Sequence, residues 1–190
     1  ILVCRIQRVW TNLTMVIHDI CKNLKIIDYD INDDMSICVG GDVDIKGLRL
    51  GIIPIKFKNV SGDFNCSLNL LESLENCPKY VGGDFNCSYN KLETLRYSPE
   101  IIGGRFNCYY NHITNFDGLP EFFEKDINLF NSPIDEIYRL FNCDPQCISL
   151  LIEYDVIRGV DVIKDRLEEV FHSLGKEIKT DLILRNYKLI

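Results

Sequence analysis

Three consecutive 21-residue segments, VSGDFNCSLNLLESLENCPKY, VGGDFNCSYNKLETLRYSPEI and IGGRFNCYYNHITNFDGLPEF, begin at Val60, Val81 and Ile102. A strict short period leaves few folds open. A unit this small cannot bury its apolar side alone, so successive units must stack as coils of a solenoid. Stacking makes an extended surface and no deep pocket, so binding is the first functional expectation.

Each unit fits the spacing L-x-L-x-x-N-x-L-x-x-L. Phe85, Cys87, Asn90, Leu92 and Leu95 occupy it in the middle copy, with Phe64, Cys66, Asn69, Leu71 and Leu74 before and Phe106, Cys108, Asn111, Ile113 and Phe116 after. Phe and Cys alternate with polar residues, so a short strand points both into the core. The Asn falls where the chain turns, and its amide can satisfy backbone groups of neighbouring coils. Pro78, Pro99 and Pro120 stiffen the return, and Gly82-Gly83 and Gly103-Gly104 give tight geometry before the strand. A degenerate first copy starts at Val39, with Leu48 in place of the Asn. A last one carries Ile127 and Leu129. Atypical terminal units are what capping requires.

The flanks read as caps. Residues 13–24 place Val16, Ile17, Ile20, Cys21 and Leu24 on one helical face, and a hairpin follows, 27–31 with 36–39. Met15 is a candidate natural start for the better-patterned sequence. Downstream, Ser132-Pro133 opens a helix over 133–142. Others are expected over 144–155 and 161–174, the last stopped by Gly175, with an apolar tail from Ile178 packing back. The expected architecture is α+β: a helix and hairpin cap (1–38), a short leucine-rich-repeat-like solenoid with a parallel sheet (39–131), and a helical cap (132–190).

A net charge of −7 argues against a non-specific grip on nucleic acid or an anionic membrane, and no apolar run is long enough to span a bilayer. The nine cysteines follow no zinc or disulfide spacing. Cys66, Cys87 and Cys108 share one repeat position and read as buried reduced thiols, which suggests a reducing, cytoplasmic setting.

Units of the form G-G-D-F-N-C-S-x-N-x-L-x-x-L resemble the leucine-rich-repeat-like proteins of tailed bacteriophages and large DNA viruses. The lead-in over 37–45 and the exit segments IDEIYRLF, LIEYDVI and VIKDRLEEVFHSLGK are similar too, so the resemblance covers roughly 15–190. It implies the solenoid and a viral or phage accessory protein in host cytoplasm. It implies little else, because such proteins are mostly uncharacterised.

Three outward rows are expected: Asp42, Asp63, Asp84, Arg105 and Asp126; Asp44, Asn65, Asn86, Asn107 and Asn128; Lys46, Ser67, Ser88, Tyr109 and Phe130. The later coils bring Arg and aromatics, the residue types of binding hot spots. Arg105, Asn107, Tyr109, Asn128 and Phe130, with Asn86 and Asp84, therefore form the expected contact face for a protein partner. The alternative is that Tyr109 and Phe130 pack beneath the C-terminal helices. The Asp row would suit a calcium ion poorly, because Arg105 interrupts it. As a mimic of phosphates it would make the protein an inhibitor of a nucleic-acid enzyme. Stacking on like subunits would make it a virion component. His18, His112 and His172 lack the partners of a nucleophile–base pair, and the Cys143/Cys147 pair reads as structural. No catalytic residue, metal or cofactor is expected. An enzyme would have to place its site between the last coil and the C-terminal helices.

Overall fold

The computed structural model describes residues 2–178 and 182–190, with side chains from Trp10 onward. The chain opens with α1 (Leu2–Asn23) and a hairpin of β1 (Tyr29–Ile31) and β2 (Ile37–Val39). The coils follow as β3 (Val43–Asp44), β4 (Phe57–Val60), β5 (Phe64–Asn65), β6 (Tyr80–Val81), β7 (Phe85–Asn86), β8 (Ile101–Ile102), β9 (Phe106–Asn107), β10 (Phe122–Phe123) and β11 (Ile127–Asn128). The C-terminal part comprises α2 (Pro133–Leu140), α3 (Gln146–Glu153), β12 (Ile157–Arg158), β13 (Asp161–Val162), α4 (Lys164–Ser173) and β14 (Lys188–Leu189).

The expected α+β solenoid is present, with a helix and hairpin at one end and helices at the other. Its parallel sheet is in fact a pair. One runs β1-β2-β4-β6-β8-β10, parallel except for the β1–β2 hairpin, and the other runs β3-β5-β7-β9-β11, wholly parallel. Each full coil gives one strand to each sheet, joined by a corner such as Gly82-Gly83. Register follows the period, with Phe64 against Phe85 against Phe106 and Asn65 against Asn86 against Asn107.

The interior is a set of ladders. Phe57, Phe64, Phe85 and Phe106 are buried and touch in sequence, with ring centroids 5.1, 5.7 and 5.6 Å apart. Burying each ring contributes on the order of 2–3 kcal/mol. Beside them Cys66, Cys87 and Cys108 are fully buried. Burial pushes the Cys87 and Cys108 thiols up, so they stay protonated and pack as small apolar groups.

The repeat Asn behaves as its position predicts. Asn90, buried, accepts from the Leu71 N–H through Oδ1 at 3.0 Å and donates through Nδ2 to the carbonyls of Cys66 and Cys87, each at 3.0 Å. Asn69 and Asn111 repeat the pattern one coil either side. Each amide therefore ties its own coil to the one before.

Both caps depart in detail from the sequence reading. The expected helix over 13–24 is the end of a longer one, starting at Leu2. Ile17 and Cys21 are buried and Ile20 and Leu24 partly so, but Val16 is 55% exposed because the helix meets the core only through its last turns. The helices expected over 133–142, 144–155 and 161–174 are each shorter by two or more residues, and a small three-stranded sheet, β12-β13-β14, lies among them. Gly175, with φ +64°, ends α4 as expected. The returning tail brings the buried Tyr187 to the solenoid, where its hydroxyl donates to the Thr114 carbonyl at 2.7 Å. The part of that tail at 179–181 lies outside the described residues.

Candidate partner-binding face

The outward rows diverge once their contacts are known. Asp42 Oδ1 accepts the Asp63 backbone N–H at 2.8 Å, Asp63 Oδ1 that of Asp84 at 2.7 Å, and Asp84 Oδ1 that of Arg105 at 2.7 Å. The preceding glycine makes room: a Cβ at Gly62, Gly83 or Gly104 would overlap that same Oδ1 of Asp42, Asp63 or Asp84. The Gly-Asp pair is thus one joint, in which the missing side chain of one coil admits the carboxylate of another. Arg105 breaks the row but forms an exposed ion pair with Asp126 at 3.5 Å.

In the second row, Asn65 and Asn86 are half-buried. Their Oδ1 atoms accept from the backbone N–H of Ser67 and Ser88, each at 3.1 Å, and from the serine hydroxyls at 2.7 and 2.6 Å. Asn128 accepts the Phe130 N–H in the same way, while the half-buried Asn107 makes no such bond. The third row is corrected at two positions. Ser67 and Ser88, expected to face outward, are 4% and 1% exposed. Each strand is only two residues long, so the alternation stops at the Asn and the serine tucks under the turn.

The residue after that serine takes its place on the surface. Gly47, Leu68, Tyr89, Tyr110 and Asn131 stand 21 residues apart, with φ of +70°, +56°, +54°, +53° and +60°. Non-glycine residues rarely adopt this left-handed conformation, which costs roughly 1–2 kcal/mol each. Here bulky side chains hold it and remain exposed: Leu68 46%, Tyr89 42%, Tyr110 39%. Tyr89 and Tyr110 stack with centroids 4.5 Å apart and planes 8° from parallel. Half-buried Tyr109 meets both rings edge-on, at 5.4 and 6.0 Å. Phe130 extends the group from the next coil, 5.8 Å from Tyr110, and the Arg139 guanidinium of α2 lies 5.6 Å from its ring centroid. Phe130 keeps 46% exposure, so the C-terminal helices touch it without covering it.

Of the seven expected contact residues, Tyr109 and Phe130 join this cluster. Asp84 bonds across to the next coil, Asn86 fixes the turn of its own coil, and Arg105 is engaged by its neighbour. Leu68, Tyr89, Tyr110 and Arg139 were missed. Gly47 and Asn131, two residue types that tolerate positive φ, stood at the same repeat position and marked it.

Among the described residues, no three His, Cys, Asp or Glu side chains converge as a metal site, and no helix is long and apolar enough to cross a membrane. Cys147 is buried in the helical cap, where loss of water pushes its thiol up to about 12. Compared with family models, with curated proteins and with solved structures, the chain matches none.

Proposed function

We propose that this chain is a non-enzymatic protein-binding module whose partner docks on the exposed aromatic group of Tyr89, Tyr110 and Phe130, with Tyr109 and Leu68 at its margin. The observation that carries the reading is the pairing of strain with exposure. Tyr89 and Tyr110 sit in left-handed backbone while keeping their rings in solvent. A fold gains little by placing a large apolar surface there, whereas a docking face uses rigid aromatic anchors. The stacked pair also arrives pre-ordered, which lowers the entropy lost on association. The resemblance to repeat proteins of phages and large DNA viruses makes an accessory protein acting on a host or viral protein the working form of this reading.

The test is site-specific photo-crosslinking. A benzophenone side chain is placed at Tyr89 or Tyr110, and as control at Lys46 on the first coil, and each protein is exposed to infected-host lysate. A partner crosslinked from 89 and 110, and displaced by excess unlabelled protein but not by its Tyr89→Ser, Tyr110→Ser variant, supports the reading. Equal labelling from Lys46, or equal displacement by the variant, would sink it.

A further inference from the structure

The aromatic group ends at a cleft. About 640 Å³ in volume, it lies between the last coil and α2, and residues 185–186 form part of its lining. Tyr110 and Phe130 line it on the coil side, with His112 beside them. Ser132, at the N-cap of α2, lines it too. Ser132 is 5% exposed, makes no capping bond, and owns the one buried side-chain N or O atom without a partner among the described residues. A buried hydroxyl left unpaired costs free energy, so a ligand atom that bonded it would gain by relieving that cost.

The charged groups around this hydroxyl are unequally occupied. The Glu136 carboxylate accepts from the backbone N–H groups of Arg185 and Asn186 at 2.6 and 2.8 Å, and from Asn186 Nδ2 at 3.1 Å. Asp135 accepts from Arg139 Nε at 2.6 Å. The acids are thereby engaged within the protein. Among the described residues, Arg185 makes no side-chain ion pair or hydrogen bond, and the terminal nitrogens of Arg139 make none either. What the cleft has left to offer is mostly donors: two guanidinium groups and a hydroxyl. Its first-turn backbone N–H groups are not part of that supply, since Ile134 N–H goes to Ile113 O and Asp135 N–H to Ser132 O.

We propose that this cleft captures a carboxylate on an acidic segment of the protein partner, held by Arg185 and Arg139 with Ser132 as hydroxyl donor, while the adjoining residues of that segment lie on Phe130 and Tyr110. Guanidinium forks match carboxylates with two parallel bonds. The arrangement explains how a chain of net charge −7 can still recognise an acidic partner: the attraction is local, and the charge of the rest sets its selectivity. This inference rests on the docking face proposed above and adds its chemistry.

The experiment uses the full 15N-labelled chain, titrated with the capped peptide acetyl-Ala-Glu-Tyr-Ala-amide and with its Gln counterpart. The Glu peptide is expected to shift the Arg185 Nε–H signal and the Ser132 amide signal saturably, and the Gln peptide to bind about tenfold more weakly, the difference between a charged and a neutral hydrogen bond. Arg185→Gln should bring the Glu peptide down to the Gln level. Ser132→Ala should weaken binding while melting no lower than the parent, since its hydroxyl serves no partner within the fold. Equal affinity for both peptides, no effect of Arg185→Gln, or a lower melting point for Ser132→Ala would each overturn the proposal. So would inorganic phosphate alone reproducing the shifts that the peptide fails to cause, which would mark a free-anion site. A partner that crosslinks at Tyr110 but is indifferent to Arg185→Gln would overturn the cleft and leave the docking face standing.

Discussion

The Asp row and the left-handed turn row run side by side along the solenoid, each supplying one residue per coil, and both read as surface. The first is consumed by the fold. Asp42, Asp63 and Asp84 each give one oxygen to a neighbouring backbone N–H, and the companion glycines exist to admit them. Among the described residues, the second contributes no side-chain hydrogen bond over Leu68, Tyr89 and Tyr110, and it holds a costly backbone conformation. In a repeat protein, then, regularity on the surface marks assembly. Departure from it, where Leu gives way to stacked Tyr, leaves side chains that the assembly does not use, and there the docking face is proposed.

Five changes would break or sharpen that contrast. The largest effect is expected from Phe85→Asp, which puts a charge into the fully buried ring ladder. It should abolish the cooperative thermal transition seen by circular dichroism, and a normal melting curve would show the inside and outside of the coil to be misassigned. Asn90→Ala comes next. It strands the buried Leu71 N–H, while the Cys66 and Cys87 carbonyls keep their bonds from Asn69 and Asn111, so the loss should be about 1–3 kcal/mol. Urea denaturation reads it, and a cost under about 1 kcal/mol would refute the ladder.

Asp63→Ala should cost only about 1 kcal/mol, because the exposed Asp84 N–H can turn to water, and Asp63→Asn less. Neither should alter partner capture; if either does, the Asp row is more than an assembly device. Tyr89→Gly is the mirror experiment. Relief of the left-handed strain offsets the lost ring contact, so stability should move by less than about 1 kcal/mol. Partner affinity should fall at least about tenfold, as for a hot-spot residue.

The smallest effect concerns acid. Asp34 is held below the usual carboxylate range by hydrogen bonds from Lys56 and Ser36, Asp144 by the Gln146 N–H, and Asp155 by Arg158 and Arg166. A lowered pKa in the folded state means stability present in full above the ordinary carboxylate range and lost as pH falls through it. The melting temperature should therefore be flat near neutrality and decline below about pH 4. Asp34 and Asp155 are solvent-exposed and Asp144 is half-buried, so the decline should be shallow and reduced by salt.

The coil interior was legible because its logic is strictly local: apolar residues two apart make a strand, and an Asn at a turn bonds across coils. The second sheet was harder to see beyond its opening hairpin, since β6, β8 and β10 have two residues each, too few for alternation to register. The outward row was misplaced by one position at Ser67 and Ser88 for the same reason. Extending the alternation past Asn86 sends Ser88 outward, when the chain has already turned and it is Tyr89 that reaches solvent. A site between the last coil and the C-terminal helices was foreseen, but not its lining by Arg185, which the return of the tail brings to α2 through a long-range contact with no periodic trace.

The Asn and Asp joints carry one further consequence. Every bond that seats a coil is made to the neighbour alone, so length is an independent variable. Splicing one more copy of 81–101 after Ile101 would satisfy the same backbone groups, advance the two ends by roughly 4.8 Å, and add a further turn residue to the face. Such a protein is a ruler that evolution can lengthen one notch at a time, choosing the mark at each notch without recutting the rest.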